Sequence, residues 1–409
     1  MRNVMMIAAL CTAGCSKPAA EAPAGEKAPA TAAGGAPAAV AGKADKIQAF
    51  LADNTKALTP ELYEKLVVAL ASCTVTDDGI DSKCQAKKDL EKARNRNTAI
   101  KDLLGASGSI GKRHIGDASP AVRLQSAQMM GSVFGSDGSS QAVIAAAAAK
   151  ESEAPVLRAM LNVVGSRHKG NDAVKDLLLK SAAHENEKVR IDAMGWFLTR
   201  FGEGVPGTFD KVMEHLEKDP SVKVRAYLCS RLFGSYDERA LKLFDKHLGA
   251  KDTPPELFDG CWNGVIGAWT GFPFPDKPQK RAYELTMKVL GTKPRSQTRP
   301  PWSGISTLRA AKSEFKPDDS FGLAWQGKVK GWYKKEKLIA ALETVAGDEQ
   351  AHWMARTAAL DVMQQLGAPK GPFEKLATRY ADVKSGDNVH VKRRAEESMK
   401  KIDAGGGAP

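Results

Sequence analysis

Aromatic residues are scarce, at 6% of 409 positions, and no apolar run reaches the ~18–20 residues a membrane-spanning helix needs. A multipass membrane architecture is therefore excluded. Cysteines number only six, and none form a C-x-x-C pair, which removes the usual redox and zinc signatures. The seven histidines are scattered, with no H-E-x-x-H pair and no Cys/His cluster, and no G-x-S-x-G elbow occurs. Alternating β-branched residues are rare. This inventory implies no metal, no cofactor and no catalytic centre, so the sequence reads as non-enzymatic. What is present suits a folded chain: 43% apolar and 26% charged residues exclude wholesale disorder. Lys and Arg outnumber Asp and Glu by 60 to 48, giving a net charge of +12, which favours acidic partners.

The N-terminus carries an address. Arg2 precedes the short apolar stretch Val4–Cys11, and Thr12-Ala13-Gly14-Cys15 follows. This resembles a bacterial lipoprotein signal, with Thr12 standing where leucine is usual. The resemblance implies cleavage of residues 1–14, a lipid on Cys15 and an exported, envelope-anchored chain. Ser16 after the cysteine resembles the class directed to the outer membrane, which implies a periplasm-facing protein there. Loss of residues 1–14 leaves a net charge of +11. Residues 15–43 read as a tether, since Lys17–Lys43 holds twelve Ala, four Pro and four Gly and has almost nothing to bury. Removal of Cys11 and lipidation of Cys15 leave Cys73, Cys84, Cys229 and Cys261 in a compartment that permits disulfides. Cys73 and Cys84 flank the polar turn Thr74–Lys83 and are expected to staple a helical hairpin. Cys229 and Cys261 lie one repeat apart and fit either a bond or two buried thiols.

From residue 44 the pattern is helical. Ile47, Phe50 and Leu51, then Leu62, Leu66, Val67 and Leu70, follow amphipathic spacing, and Pro60 suits a first helical turn. An acidic or polar residue, an aliphatic five positions on and then usually an arginine recur along the chain. The copies read Asp117…Val122-Arg123, Glu151…Val156-Leu157-Arg158, His184…Val189-Arg190, Asp219…Val224-Arg225 and Asp252…Leu257. Their first positions are 34, 33, 35 and 33 residues apart. Gly135, Gly165, Gly202, Gly234 and Gly271 close these units. Asp348…Trp353 with Arg356 and Gly367 returns to the plan, Asp318…Leu323 is a loose copy, and Val391–Ile402 reads as a cap.

These Asp, Val-Arg and Gly positions resemble the HEAT-repeat family. The resemblance implies an all-α solenoid of antiparallel helix pairs. In each unit the acid opens the second helix, and the arginine forms a ladder to the neighbouring unit. It implies structural roles for Asp117, Arg123, Arg158, Arg190, Asp219, Arg225, Asp348 and Arg356. His184 replaces the acid in one unit, and Asp259 stands where an arginine is expected. The expected organisation is a signal at 1–14, the tether at 15–43 and an N-terminal helical segment at 44–105. The repeat domain runs over 106–403, irregular at 272–347, and a disordered tail covers 404–409.

Gly105–Arg113 reads GASGSIGKR but lacks the required first glycine and the hydroxyl after lysine of a phosphate loop; it reads as a loop ending a helix. Six of seven tryptophans fall between 262 and 353. Phe272, Phe274, Arg295, Arg299 and Trp302 lie there in Pro-rich stretches, and they are the candidate contacts for a partner. Trp262, Trp269 and Trp353 sit at core spacing. The expected function is a lipid-anchored scaffold or adaptor for a protein or an anionic envelope component, since repeat stacks give extended surfaces. One alternative is a glycan-acting enzyme using Asp259, Asp318 and Asp319 beside tryptophans. A second, nucleic-acid binding, applies only to a chain that is not exported.

Overall fold

The computed structural model describes residues 41–53, 57–95, 100–133, 138–167, 172–201, 207–232, 238–270, 277–292, 302–311 and 319–405. The expected signal, most of the tether and lipidation site Cys15 lie outside these. The chain divides into two compact units, residues 1–49 and 50–409. Of the first, the described part is the start of helix α1 (Ala41–Ala52), which begins three residues before the expected helical segment.

The second unit is an all-α, solenoid-like array of packed helix pairs. Thr59 caps α2 (Pro60–Ala69) by accepting the Leu62 N–H at 3.3 Å, with Pro60 in the first turn where its missing N–H costs nothing. A 3-10 turn (Leu70–Ser72) leads into two short strands, β1 (Val75–Thr76) and β2 (Gly79–Ile80), paired antiparallel. The absence of strand signals had suggested helix alone; this hairpin fits inside the loop closed by the Cys73–Cys84 disulfide. α3 (Gln85–Asn95) follows, then α4 (Ile100–His114) and α5 (Pro120–Val133).

Gly105–Arg113 is therefore helix interior, not a loop. Gly111 serves packing: a Cβ there would stand 2.9 Å from the Ser126 carbonyl oxygen and 2.6 Å from the Met130 side chain, so α4 and α5 meet almost backbone to side chain. The expected boundary at 105/106 accordingly falls inside a continuous helix.

The array continues with α6 (Gly138–Ala148), α7 (Ala154–Arg167), α8 (Asp172–Ser181), α9 (Glu187–Phe201), α10 (Thr208–Lys218), α11 (Val222–Arg231), α12 (Glu238–Gly249) and α13 (Pro255–Thr270). α14 (Lys280–Gly291), α15 (Trp302–Thr307), α16 (Ser320–Val329), α17 (Lys335–Ala346), α18 (Trp353–Gln365), α19 (Gly371–Arg379) and α20 (Asp387–Asp403) complete it. The second helices α5, α7, α9, α11 and α13 pack on one another in sequence, and the first helices α6, α8, α10 and α12 flank them. α15 packs against both α13 and α18, so this short helix, rather than α16, continues the second-helix row. The loose copy Asp318…Leu323 belongs to α16, an insertion; Asp319 accepts the Gly322 N–H at 2.9 Å as its cap, and Asp318 is outside the described residues. Gly367, with φ of 74°, ends α18 in the left-handed conformation a Cβ disfavours.

The aliphatic position of each repeat is the core of this row. Val122, Val156, Val189 and Val224 are fully buried, and Leu257 nearly so. Gly165 does not close its helix, which runs on to Arg167; it seats the indole of Trp196 from the next second helix. Gly195 likewise receives Tyr227. The approach is closest between α11 and α13, where Gly260 and Gly264 lie against the carbonyls of Ala226 and Cys229. Cys229 and Cys261, both fully buried, are bonded there, which settles the alternative the sequence left open. Further on, Trp269, Tyr283, Trp325, Trp332 and Tyr333 form one aromatic nucleus with centroids 5.0–6.5 Å apart.

α4 is tied to α2 by Glu64, which accepts from Arg113 at 2.8 and 2.9 Å and lies 2.8 Å from the His114 ring. Arg113, with His114 adding to it against the cost of burial, lowers the Glu64 carboxyl to about 2. A depressed carboxylate adds stability above its unfolded value of about 4.3, lost as pH falls through the folded value. The melting temperature of wild type should therefore fall more steeply than that of Glu64→Gln between about pH 4.5 and pH 2; parallel curves would remove this tie. Gly260→Ala should cost about 1–3 kcal/mol in urea unfolding, because the new Cβ meets backbone rather than a yielding side chain.

Candidate functional site

The polar residues of the repeat converge on the edge formed by the turns from first to second helix. The acid of each unit does not cap the second helix, as the repeat pattern suggested, but acts one step earlier. Asp117 accepts the Ser119 N–H at 2.8 Å, Asp219 that of Ser221 at 2.8 Å and Asp348 that of Gln350 at 3.0 Å. His184 does the same work through Nδ1, accepting from Asn186 at 3.0 Å, which is why a histidine is tolerated there. After Asp219 and His184 the cap itself is the residue two on: Ser221 Oγ accepts from Val224, and Asn186 Oδ1 from Lys188 and Val189, whereas after Asp348 it is His352, which accepts from Met354.

The turn geometry places the arginines. Arg123 donates from Nη1 to the carbonyls of Asp117 and Ala118, and it grips Glu151 of the next unit through Nε and Nη2 at 2.7 and 2.9 Å. Arg190 repeats this on the His184 and Glu185 carbonyls and on Asp219, at 2.9 and 3.0 Å. Burial opposes the charge on Glu151, but Arg123 and the N–H groups of Glu153 and Ser152 prevail and hold it below the ordinary carboxylate range. Asp219 in turn raises the Arg190 guanidinium.

Arg158 meets no acid at position 184, so it turns to Asp192 on α9 at 2.7 Å. Burial outweighs that arginine and pushes the Asp192 carboxyl up. Arg356 bonds the Ala346 carbonyl, Asn388 and the Tyr380 hydroxyl at 2.6–3.0 Å, a neutral version of the rung. Arg225 has no ion pair among the described residues.

Two further features lie on this edge. The stapled hairpin reaches over it: Lys188 donates to Asp77 Oδ2 at 3.1 Å, and Arg158 to the Asp77 carbonyl at 3.4 Å. Beside the Arg190–Asp219 rung opens a groove of about 680 Å³, lined by His184, Glu185, Lys211, Glu214, His215 and Lys218 among others. Burial lowers the basicity of His215. The recurring arginines of this edge were present in the sequence, but their convergence with residue 77 was not, since over 80 residues separate Asp77 from Arg158.

The residues singled out for partner contact are not brought into view here. Phe272, Phe274, Arg295 and Arg299 lie outside the described residues; Trp302 opens α15, and its side chain is outside them too. Trp262 and Trp269 fill the core, and half-buried Trp353 stacks on His390 at 4.4 Å. Of the carboxylates weighed for glycan chemistry, Asp259 is half-buried in α13 and Asp319 serves as a helix cap. No group of His, Cys, Asp and Glu among the described residues is arranged to hold a metal ion. None of the described helices is long and apolar enough to cross a membrane. The two disulfides belong to an oxidising, exported environment. In comparison with known proteins, the chain matches no family model and no curated sequence.

Arg190→Met should cost about 3–5 kcal/mol in denaturant unfolding, because it strands Asp219, whose side chain is 1% exposed. The double variant Arg190→Met/Asp219→Leu should recover most of that loss; failure to recover would locate the cost in packing instead.

Proposed function

We propose that this protein is a non-enzymatic, lipid-anchored envelope scaffold, a HEAT-like repeat array that binds a protein partner or an anionic envelope component. The observation that carries the reading is the turn edge, where ion-paired arginines recur from unit to unit. The array holds arginines and lysines in register from unit to unit, and it already retains an acidic segment remote in sequence, the hairpin at Asp77, on Lys188 and Arg158. Repeat arrays present such periodic surfaces to extended partners, and charge of one sign steers and selects partners of the other.

The disulfides support an exported location, and the Cys15 motif supports the lipid anchor. The remaining Cys15-proximal chain would serve as a leash between membrane and array. Phe272, Phe274, Arg295, Arg299 and Trp302 are proposed as a second contact region.

In-cell crosslinking of the native protein, with captured partners identified by mass spectrometry, tests the reading. Specific partners should be captured by wild type. Their loss in an Arg295→Glu/Arg299→Glu/Trp302→Ala variant would locate contact in the inserted segment, and their retention would locate it on the regular array. Capture of no specific partner would sink the scaffold reading.

A further inference from the structure

Three rungs of the ladder close on a carboxylate; the fourth is vacant. Arg123, Arg158 and Arg190 hold Glu151, Asp192 and Asp219. Arg225, the next in the series, pairs with no described acid, and its Nε is buried without a hydrogen-bond partner. A buried guanidinium N–H without an acceptor is costly, so its persistence here needs a reason.

The local sequence explains the vacancy. Asp252 stands 33 residues after Asp219 and is the acid expected to fill the slot. In the other units the acid is turned inward because it accepts the N–H two residues further on. Two residues after Asp252 is Pro254, which has no N–H to give. Asp252 is exposed, and α13 starts directly afterwards at Pro255.

The surroundings of the slot carry basic side chains, Lys246 and Lys251, beside the exposed acids Glu217 and Asp252. His247 of α12 is half-buried beside it; burial lowers its basicity, and Lys246 and Arg225 lower it further, with exposed Glu217 of α10 acting in the opposite sense. Lys251 is exposed in the turn.

We propose that Arg225 and the turn 250–254 form a receptor for a carboxylate from an acidic segment of a partner protein, seated as Glu151 and Asp219 seat on Arg123 and Arg190. This rests on the scaffold reading and gives it a site. The molecule itself specifies the ligand chemistry, since every filled arginine–acid rung on this edge holds a carboxylate. The hairpin at Asp77 is the precedent for an acidic segment that arrives from outside the unit.

The experiment measures fluorescence anisotropy of labelled hexaglutamate with the full chain. Arg225→Met should weaken binding about tenfold or more, as expected for loss of a charge-assisted contact. Pro254→Ser should weaken it similarly while keeping Arg225, because the new N–H lets Asp252 turn in and fill the slot. That variant should also melt higher than wild type, which separates loss of binding from loss of folding. Lys288→Met, on α14 and paired with Asp245, should leave binding unchanged.

Wild-type affinity in both Arg225→Met and Pro254→Ser overturns the proposal. So does displacement of hexaglutamate by inorganic phosphate at equal anion concentration, which would make the slot a small-anion site. Partners captured in cells alongside Arg225-independent peptide binding would overturn this site and leave the scaffold reading standing. Arg225-dependent peptide binding with no partner captured would do the reverse.

Discussion

The arginine–carboxylate rung is the interaction on which the register of this array depends. The rungs of Arg123 and Arg190 each join three things: the carbonyls of their own turn, the arginine, and an acid of the next unit. The acid is itself held by a backbone N–H of its turn, so the charge is positioned before the arginine meets it. A bidentate pair positioned in this way loses little side-chain entropy on forming, unlike an exposed pair of long side chains. The Nη1 donor of the guanidinium is spent on two carbonyls of the turn between the helices. In these two units one arginine thus serves both charge pairing and turn geometry.

The departures follow the same logic. With His184 in the acid position, Nδ1 still closes the turn, but no carboxylate is available there for Arg158, which finds Asp192 on α9 instead. With Pro254 two residues after Asp252, the turn lacks its donor and the rung at Arg225 stays empty. At that junction a covalent link takes over. Gly260 and Gly264 bring α13 onto the backbone of α11, and Cys229–Cys261 joins the two helices between them. The join between units is therefore strongest in packing where it is weakest in charge, and this leaves a guanidinium available on the surface edge.

Much of this was legible in the chain. The 33–35-residue spacing and the buried aliphatic of each unit follow from short-range periodicity, because a helix repeats its core face every three to four residues. The Cys73–Cys84 pair was readable from eleven residues of separation around a polar turn. Glycine was the main source of error. Gly105–Arg113 looked like a loop and Gly165 like a terminator, because a glycine's backbone freedom is visible locally. The missing side chain matters only when another helix arrives to use the space, as Met130 and Trp196 do.

The sequence by itself determined the helix-pair plan, the net positive charge and the disulfide-bearing character of the chain, since composition and local spacing carry those. Only the tertiary structure decided which acid each arginine holds, that α15 rather than α16 continues the row, and that Cys229 and Cys261 are bonded. It also decided that Asp77 lies across Lys188 and that Arg225 pairs with no acid among the described residues. These are matters of which residues meet across 28 to 111 positions of chain, and such meetings are set by how one helix pair stacks on the next.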